Sequence, residues 1–266
     1  MTERTIGIVG GAGWMGRAIA RSMLEAGFVE PSGLVLSSRS HNTQGLAGWP
    51  GITCLTDNHE LTARSDVIIL SVRPVQFSAV DIDAAGKLVI SVMAGVPVAT
   101  LAARTGATRI VRAMPNAAAE IGKSYTPWFA SEGADPADKE LVRQLFETCG
   151  TTDEVFREAD IDYLTGLTGS GPAFPALLAD AMLGHALERG LPAKVAKRAV
   201  EAVVAGANQL LADNNASPEE TVRTFLEYRG TTAAGLQGMI DGGFVEAVRA
   251  GLDAAEAAAV GMSQGQ

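Results

Sequence analysis

Short apolar runs at residues 5–9, 34–37, 67–72, 88–91 and 109–113 mark the first half of the chain. Stretches with apolar positions at helical spacing separate several of them. Strand-like runs joined by helical crossovers predict a parallel sheet. The runs "DVIIL" and "KLVISV" are apolar at both odd and even positions. Strands of that kind are covered on both faces.

The pattern changes near Asp153, and from Asp160 onward no strand is predicted. "PAFPALLADAMLGHALERG" and "PAKVAKRAVEAVVAGANQLLADN" read as long helices, the second with Pro192 just inside its start. Residues 177–187 are apolar on nearly every face except at Asp180 and His185. A helix apolar all round has to be buried all round, which a small helical domain cannot achieve alone. A helical dimer interface is therefore expected. "ASPEETV" predicts a capped start, with Ser217 at the N-cap, Pro218 at N1, and Glu219 and Glu220 in the first turn. "GGFVEAVRAGLDAAEAAAV" predicts a last helix. The expected organisation is α/β: a parallel-sheet domain over residues 1–156, then an all-α domain over 157–266.

Composition narrows the function. At 266 residues and 47% hydrophobic, the chain can bury a large core. Its formal net charge of −9 offers no basic footprint for nucleic acid. An anion site must then be built locally. Cys54 and Cys149 stand in no metal-ligand spacing, and no metal is expected. The N-terminus carries no signal-peptide pattern, and no apolar run approaches a membrane span. The expectation is a soluble, cytoplasmic protein.

"IGIVGGAGWMGRAIA" contains Gly11-x-Gly13-x-x-Gly16 directly after a predicted strand and leading into a predicted helix. In that context the pattern points to a dinucleotide. Gly11 would permit the tight turn, Gly13 the close approach of a pyrophosphate, and Gly16 close helix–strand packing. The loop from Gly11 through Ala12, Gly13, Trp14 and Met15 to Gly16 would offer N–H groups and a positive dipole end to the phosphates. The second strand ends in Ser37, Ser38 and Arg39, where an NAD binder usually carries an acid. Serines and an arginine can hold a 2′-phosphate that an acid would repel. NADPH is the expected cofactor, with NADH as the alternative.

Several segments then fall in order: "GAGWMG", "DVIILSVRP", "VISVMAGV", "RIVRAMPNAAAEIG", "DYLTGLTGSGPAF" and "RGTTAAGL…GGFVEAV". Together they resemble the pyrroline-5-carboxylate reductase family over nearly the whole chain. The resemblance implies reduction of a cyclic imino acid, 1-pyrroline-5-carboxylate to L-proline being the leading case. It implies an α/β fold with a Rossmann-type NADP-binding domain over residues 1–156 and an all-α dimerisation and substrate domain over 157–266 that intertwines with a second subunit, as a homodimer or a higher oligomer of dimers. It also implies site positions. Beyond the glycine loop and Ser37–Arg39, Asn58 would contact the adenosine. Val72, Arg73, Pro74, Ala94 and Gly95 would lie near the nicotinamide. The substrate carboxylate would sit on backbone N–H groups of Gly230, Thr231 and Thr232. The hydroxyl of Thr232 would face the ring nitrogen as the catalytic group.

Taken alone, the two threonines are ordinary caps of a helix start. The capping and the anion-binding readings share one geometry, and the other motifs favour the second. The chemistry fits a chain without an obvious strong acid or base. A cyclic iminium is already electrophilic, so reduction needs mainly orientation, which can supply roughly 7–11 kcal/mol. His41, His59 and His185 are expected to be structural or surface residues. Asp160 and Asp162 are expected as helix-start acids.

Three alternatives stand. A 3-hydroxyacid dehydrogenase would need a lysine where Pro175 stands. A non-catalytic NADP-binding protein would turn over no imine. A relative with another imine substrate is suggested by Glu227-Tyr228-Arg229-Gly230, where the family usually shows Ser-Pro-Gly-Gly. Arg229 either reaches an anionic group of the substrate or points into solvent. Trp14 stands where the family's glycine loop has asparagine, and "PNAAAEIGKS" departs from Pro-Asn-Thr-Pro.

Overall fold

The computed structural model describes residues 4–39, 45–213 and 216–264. In chain order the elements begin β1 (Ile6–Val9), α1 (Trp14–Glu25), β2 (Leu34–Ser37), β3 (Thr53–Leu55) and α2 (Asn58–Arg64). They continue through β4 (Val67–Leu70), β5 (Leu88–Ser91), α3 (Val98–Thr105), β6 (Arg109–Ala113), β7 (Ser124–Ala130), α4 (Pro136–Glu147) and β8 (Gly150–Glu154). The rest is helical: α5 (Glu158–Leu164), α6 (Ala173–Glu188), α7 (Ala193–Asp213), α8 (Pro218–Glu227), α9 (Thr231–Asp241) and α10 (Phe244–Gln264).

The strands form one eight-stranded sheet in the order β3-β2-β1-β4-β5-β6-β7-β8. The six strands from β3 to β6 are parallel, and β7 joins β6 antiparallel and β8 parallel. Alternate side chains on a strand point to opposite faces, and here both faces are covered. Ile6, Ile8, Val67, Ile69, Leu88 and Ile90 pack with α1 residues Ile19 and Met23 and α4 residues Val142 and Phe146. Ile68, Leu70 and Val89 pack on the other face with Leu61, Phe77 and Leu101. The two-sided apolar runs are therefore interior strands, as expected.

Of the five expected strands, those at 34–37, 88–91 and 109–113 form over those bounds. The first starts at Ile6, and the one expected over 67–72 stops at Leu70. Pro74 opens a 3₁₀ turn there, and Arg73 before it is already extended, at φ −67° and ψ 141°. Three strands carry too weak a pattern to be foreseen. β3 has three half-buried residues at the sheet edge. β7 contains Pro127 although it lies between two neighbours, and proline normally argues against a central strand. β8, Gly-Thr-Thr-Asp-Glu, is a polar edge strand.

The chain divides into two compact units: one runs up to Ser170 and takes in the end of α10 from Ala254, and the other is Gly171–Asp253. In the second unit, α6 has no buried residue, and apolar Leu177 is 70% exposed. α8 starts as expected, with a capping box between Ser217 and Glu220 and Pro218 at N1. Pro192 precedes α7 rather than opening it, and its carbonyl accepts the Ala196 N–H at 3.0 Å.

Candidate active site

The parallel strands deliver their carboxyl ends to one edge of the sheet. β1 is flanked by β2 and β4, so the chain winds outward in opposite directions on either side of it. A crevice at such a switch point is where open α/β sheets bind ligands. The glycine loop follows β1. Ser37–Arg39 follows β2, Asn58 comes after β3, Val72–Pro74 follows β4, and Ala94 and Gly95 follow β5. The expected cofactor residues, scattered in sequence, thus share one edge of the first unit.

The glycine loop is a backbone cradle. Among the described residues, no acceptor is placed on the N–H groups of Ala12, Trp14, Met15 or Gly16. These amides sit at the start of α1, where the helix dipole favours an anion. Side chains are excluded by contact. A Cβ on Gly16 would lie 2.7 Å from the Gly10 carbonyl oxygen, and one on Gly13 3.0 Å from it. Close helix–strand packing is the role expected for Gly16. The turn itself falls elsewhere than expected. Gly10, outside the three-glycine pattern, takes the positive φ of 82°, and its Cβ would meet the Ser71 carbonyl at 2.7 Å. Gly11 is needed because a Cβ would touch Leu36 Cδ2 at 2.8 Å. The cradle fits a dinucleotide pyrophosphate.

At the end of β2, Ser37 is buried and its hydroxyl donates to Asn58 Oδ1 at 2.6 Å. Its carbonyl takes the N–H groups of both Gly10 and Gly11 at 3.0 Å. Ser37 therefore braces the loop and Asn58, while Ser38 is half-buried and Arg39 exposed. Ser71, just after β4 and not singled out by the sequence, has a buried Oγ with no hydrogen-bond partner among the described residues. Gly95 takes φ 65° in the turn after β5.

The "RAMPN" segment is more structured than its sequence implies. Arg112 is 2% exposed and pairs with Glu158 at 2.9 Å and Asp162 at 2.8 Å. Asp162 is thus the partner of a buried cation, more than a helix-start acid; Asp160 does lie in the first turn of α5, paired with Arg157. Asn116 caps the following 3₁₀ turn through Ala118 N–H at 2.9 Å, and donates to the Thr168 carbonyl at 3.0 Å. Thr168 lies in a π-helical segment, Thr165–Gly169, a geometry often found near functional sites.

The Gly-Thr-Thr turn belongs to the second unit. Thr231 and Thr232 are the first two residues of α9, and Gly230 is its N-cap with φ 94°. No side chain caps this start, so the threonines do not take the capping role. They already lie inside the helix, and a glycine holds the cap position. Among the described residues, the N–H groups of Thr231, Thr232 and Ala233 have no acceptor, and the first bond is Ala234 N–H to the Gly230 carbonyl at 3.1 Å. Arg229, beside it, has φ 59°.

Other chemistries find little support. His59 is exposed and faces Asp81 at 3.2 Å, and His185 is exposed on α6; His41 lies outside the described residues. Both cysteines are free, and burial pushes both thiols up, away from the reactive thiolate. Among the described residues, no His, Cys, Asp and Glu group has the makings of a metal site, and no helix is long and apolar enough to cross a membrane. A cavity of about 530 Å³ lies at the opposite, amino-terminal edge of the sheet, lined by Arg4, Asp66, Lys87 and Arg109 among others. Its polar groups are engaged within the chain: Arg109 and Arg4 pair with buried Asp138, Lys87 donates to the Ser65 carbonyl and Asp66 accepts the Thr5 N–H.

Known proteins share both halves of this arrangement. Residues 158–262 match the family described as pyrroline-5-carboxylate reductase dimerisation. Residues 5–95 match the family described as NADP oxidoreductase, coenzyme F420-dependent. A pyrroline-5-carboxylate reductase of Methanosarcina acetivorans is 33% identical over 91% of this chain and 92% of its own. Pyrroline-5-carboxylate reductase 2 of Bacillus subtilis is 32% identical over 92% of this chain and 90% of its own. The solved pyrroline-5-carboxylate reductase of Coxiella burnetii, 28% identical, matches with a TM-score of 0.86 over 98% of this chain and 99% of that one.

Proposed function

The chain belongs to the pyrroline-5-carboxylate reductase family, and from that premise we propose that it reduces a cyclic imino acid with NADPH, the leading case being 1-pyrroline-5-carboxylate to L-proline. When bound, NADPH supplies the hydride. The amides of Ala12, Trp14, Met15 and Gly16 hold its pyrophosphate. Ser38 and Arg39 hold the 2′-phosphate, with Ser37 fixing Asn58 against the adenosine. Val72, Arg73, Pro74, Ala94 and Gly95 border the nicotinamide. The open amides of Thr231, Thr232 and Ala233 take the substrate carboxylate at the mouth of α9. The hydroxyl of Thr232 holds a proton at the ring nitrogen, as a positioned donor.

The observation that carries the reading is the uncapped start of α9, where a Gly-Thr-Thr turn presents N–H groups with no acceptor among the described residues. A carboxylate is their natural partner. The domain boundary belongs to the same proposal: residues 1–156 bind the dinucleotide, and 157–266 carry dimerisation and the substrate turn. A dimerisation match beginning at residue 158 supports it. The active form is a homodimer, with larger rings of dimers as the variant assembly. Two free thiols suit a cytoplasmic setting.

The test is direct. Purified protein is given 1-pyrroline-5-carboxylate, or its six-membered analogue, with NADPH and with NADH, and the loss of nicotinamide absorbance is followed. NADPH oxidation with the five-membered imine is expected; no oxidation with either imine would defeat the proposal. Thr232→Ala is expected to lower turnover while leaving NADPH affinity within about twofold. An unchanged turnover removes Thr232 from the mechanism.

A further inference from the structure

Trp14 is the first residue of α1 and stands on the glycine loop, yet 51% of its surface is exposed. Its indole N–H donates to the carboxylate of Glu120, 106 positions along the chain. Glu120 lies in the 3₁₀ turn Ala117–Ile121 that follows β6. That turn is firmly mounted. Asn116 caps it, Ala119 is buried in the same core cluster as Ala18, Ile19 and Met23, and Gly122 ends it at φ 65°. Ser22 Oγ of α1 also donates to the Ala119 carbonyl at 3.4 Å. The bond between Trp14 and Glu120 therefore joins the loop after β1 to the turn after β6, with β4 and β5 between them in the sheet.

Burial in the chain itself does not account for this arrangement. A half-exposed indole held by one charged acceptor gives up rotamer freedom without gaining a full apolar contact. Its polar N–H is satisfied and its apolar face is left available, the usual disposition of a tryptophan at a binding surface. Trp14 itself belongs to the loop whose amides at Ala12, Met15 and Gly16 have no acceptor among the described residues. Glu120 is itself exposed, and its carboxylate accepts from the Trp14 indole across the width of two strands.

We propose that Trp14 forms one wall of the dinucleotide groove, and that Glu120 is a positioning residue that acts on cofactor binding by fixing the indole. This rests on the dinucleotide reading above and adds a residue outside the glycine loop to it. Glu120 makes the wall rigid, and the turn that carries it ties cofactor binding to the "RAMPN" segment.

The experiment is an equilibrium titration of the intact protein with NADPH, read by tryptophan emission and by calorimetry. Trp49 and Trp128 serve as internal references, since Trp14→Phe leaves both. Bound NADPH is expected to quench the wild-type emission, with a large part of that quench absent in Trp14→Phe. Glu120→Ala is expected to raise the Kd about tenfold, equivalent to about 1.4 kcal/mol. Glu120→Gln, whose amide oxygen still accepts the indole N–H, should stay within about twofold of wild type. The double variant Trp14→Phe/Glu120→Ala should bind no worse than Trp14→Phe alone.

A merely structural role for Glu120 would lower the melting temperature without moving the quench. Wild-type affinity and quench in Glu120→Ala, or fully additive losses in the double variant, would overturn the proposal. If Glu120→Ala does not fold, Trp14→Phe decides: unchanged affinity and quench overturn it. If wild-type protein binds no NADPH, the dinucleotide reading itself fails and takes this one with it. Binding by wild type with no effect of either variant defeats only the present inference.

Discussion

Arg229 carries a positive φ of 59°, where every other described residue with positive φ is a glycine. The left-handed conformation costs a side chain with a Cβ about 1–2 kcal/mol. Arg229→Gly is therefore expected to raise the melting temperature by about 2–4 °C, the shift that about 1 kcal/mol produces in a chain of this size. Differential scanning calorimetry checks it. If the guanidinium grips the substrate, the same variant raises KM for the imino acid; a KM unchanged across imines leaves Arg229 in solvent. Gly10 gives the opposite case. Gly10→Ala places a Cβ 2.7 Å from the Ser71 carbonyl at φ 82°. Loss of NADPH binding and a lowered melting temperature are expected, and a variant that binds NADPH like wild type would refute this account of the loop. The glycine pattern was legible in sequence, but the position of its tight turn was not. The space at Gly10 is set by the Ser71 carbonyl just after β4, and that at Gly11 by the Leu36 side chain of β2, both far off in the chain.

At the scale of elements, α4 is tied to β6 through Asp138. This carboxyl is fully buried, pairs with Arg109, and closes the capping box with Asp135. Burial pushes it up, but the hydrogen bond from Arg109, the Asp135 backbone N–H, and the charges of Arg109 and Arg4 together hold it below the usual carboxylate range. A depressed folded value gives stabilisation that is fully present above the ordinary carboxylate pKa of about 3.9. It is lost as pH falls through the depressed value. Asp138→Asn should destabilise by about 3 kcal/mol at neutral pH, the lower end for breaking a buried pair. Thermal melts across an acid series should show the gap to wild type closing below about pH 4; a gap constant with pH would reject the assignment. The capping box of α8 was readable from Ser217, Pro218 and Glu220, because a cap is local. β7 and β8 were not, because Pro127 and the polar Gly-Thr-Thr-Asp-Glu run join the sheet only through long-range pairing with β6 and with each other.

For the whole molecule, the apolar surface of the second unit sets the expectation. α6 carries Phe174, Leu177 and Leu187 exposed, and α7 adds Val195, Val203 and Leu210. Patches of that kind mark contact with another chain. Leu177→Asp is expected to shift the mass in light scattering toward the 27.5 kDa monomer. Wild-type melting should also depend on protein concentration, as linked association requires. A wild-type mass of 27.5 kDa at micromolar concentration would contradict the dimer. The sequence by itself determined the alternation of buried strands and helices, the glycine loop between a strand and a helix, and the helical second half. Each is written in local periodicity or in glycine spacing, and needs no distant partner to be recognised. Only the tertiary structure decided that Ser37 braces Asn58, that Asp162 answers a buried arginine, that the threonines leave the start of α9 open, and that Glu120 reaches Trp14. Those contacts join residues far apart in the chain or depend on backbone angles, and neither quantity is carried by residue order alone.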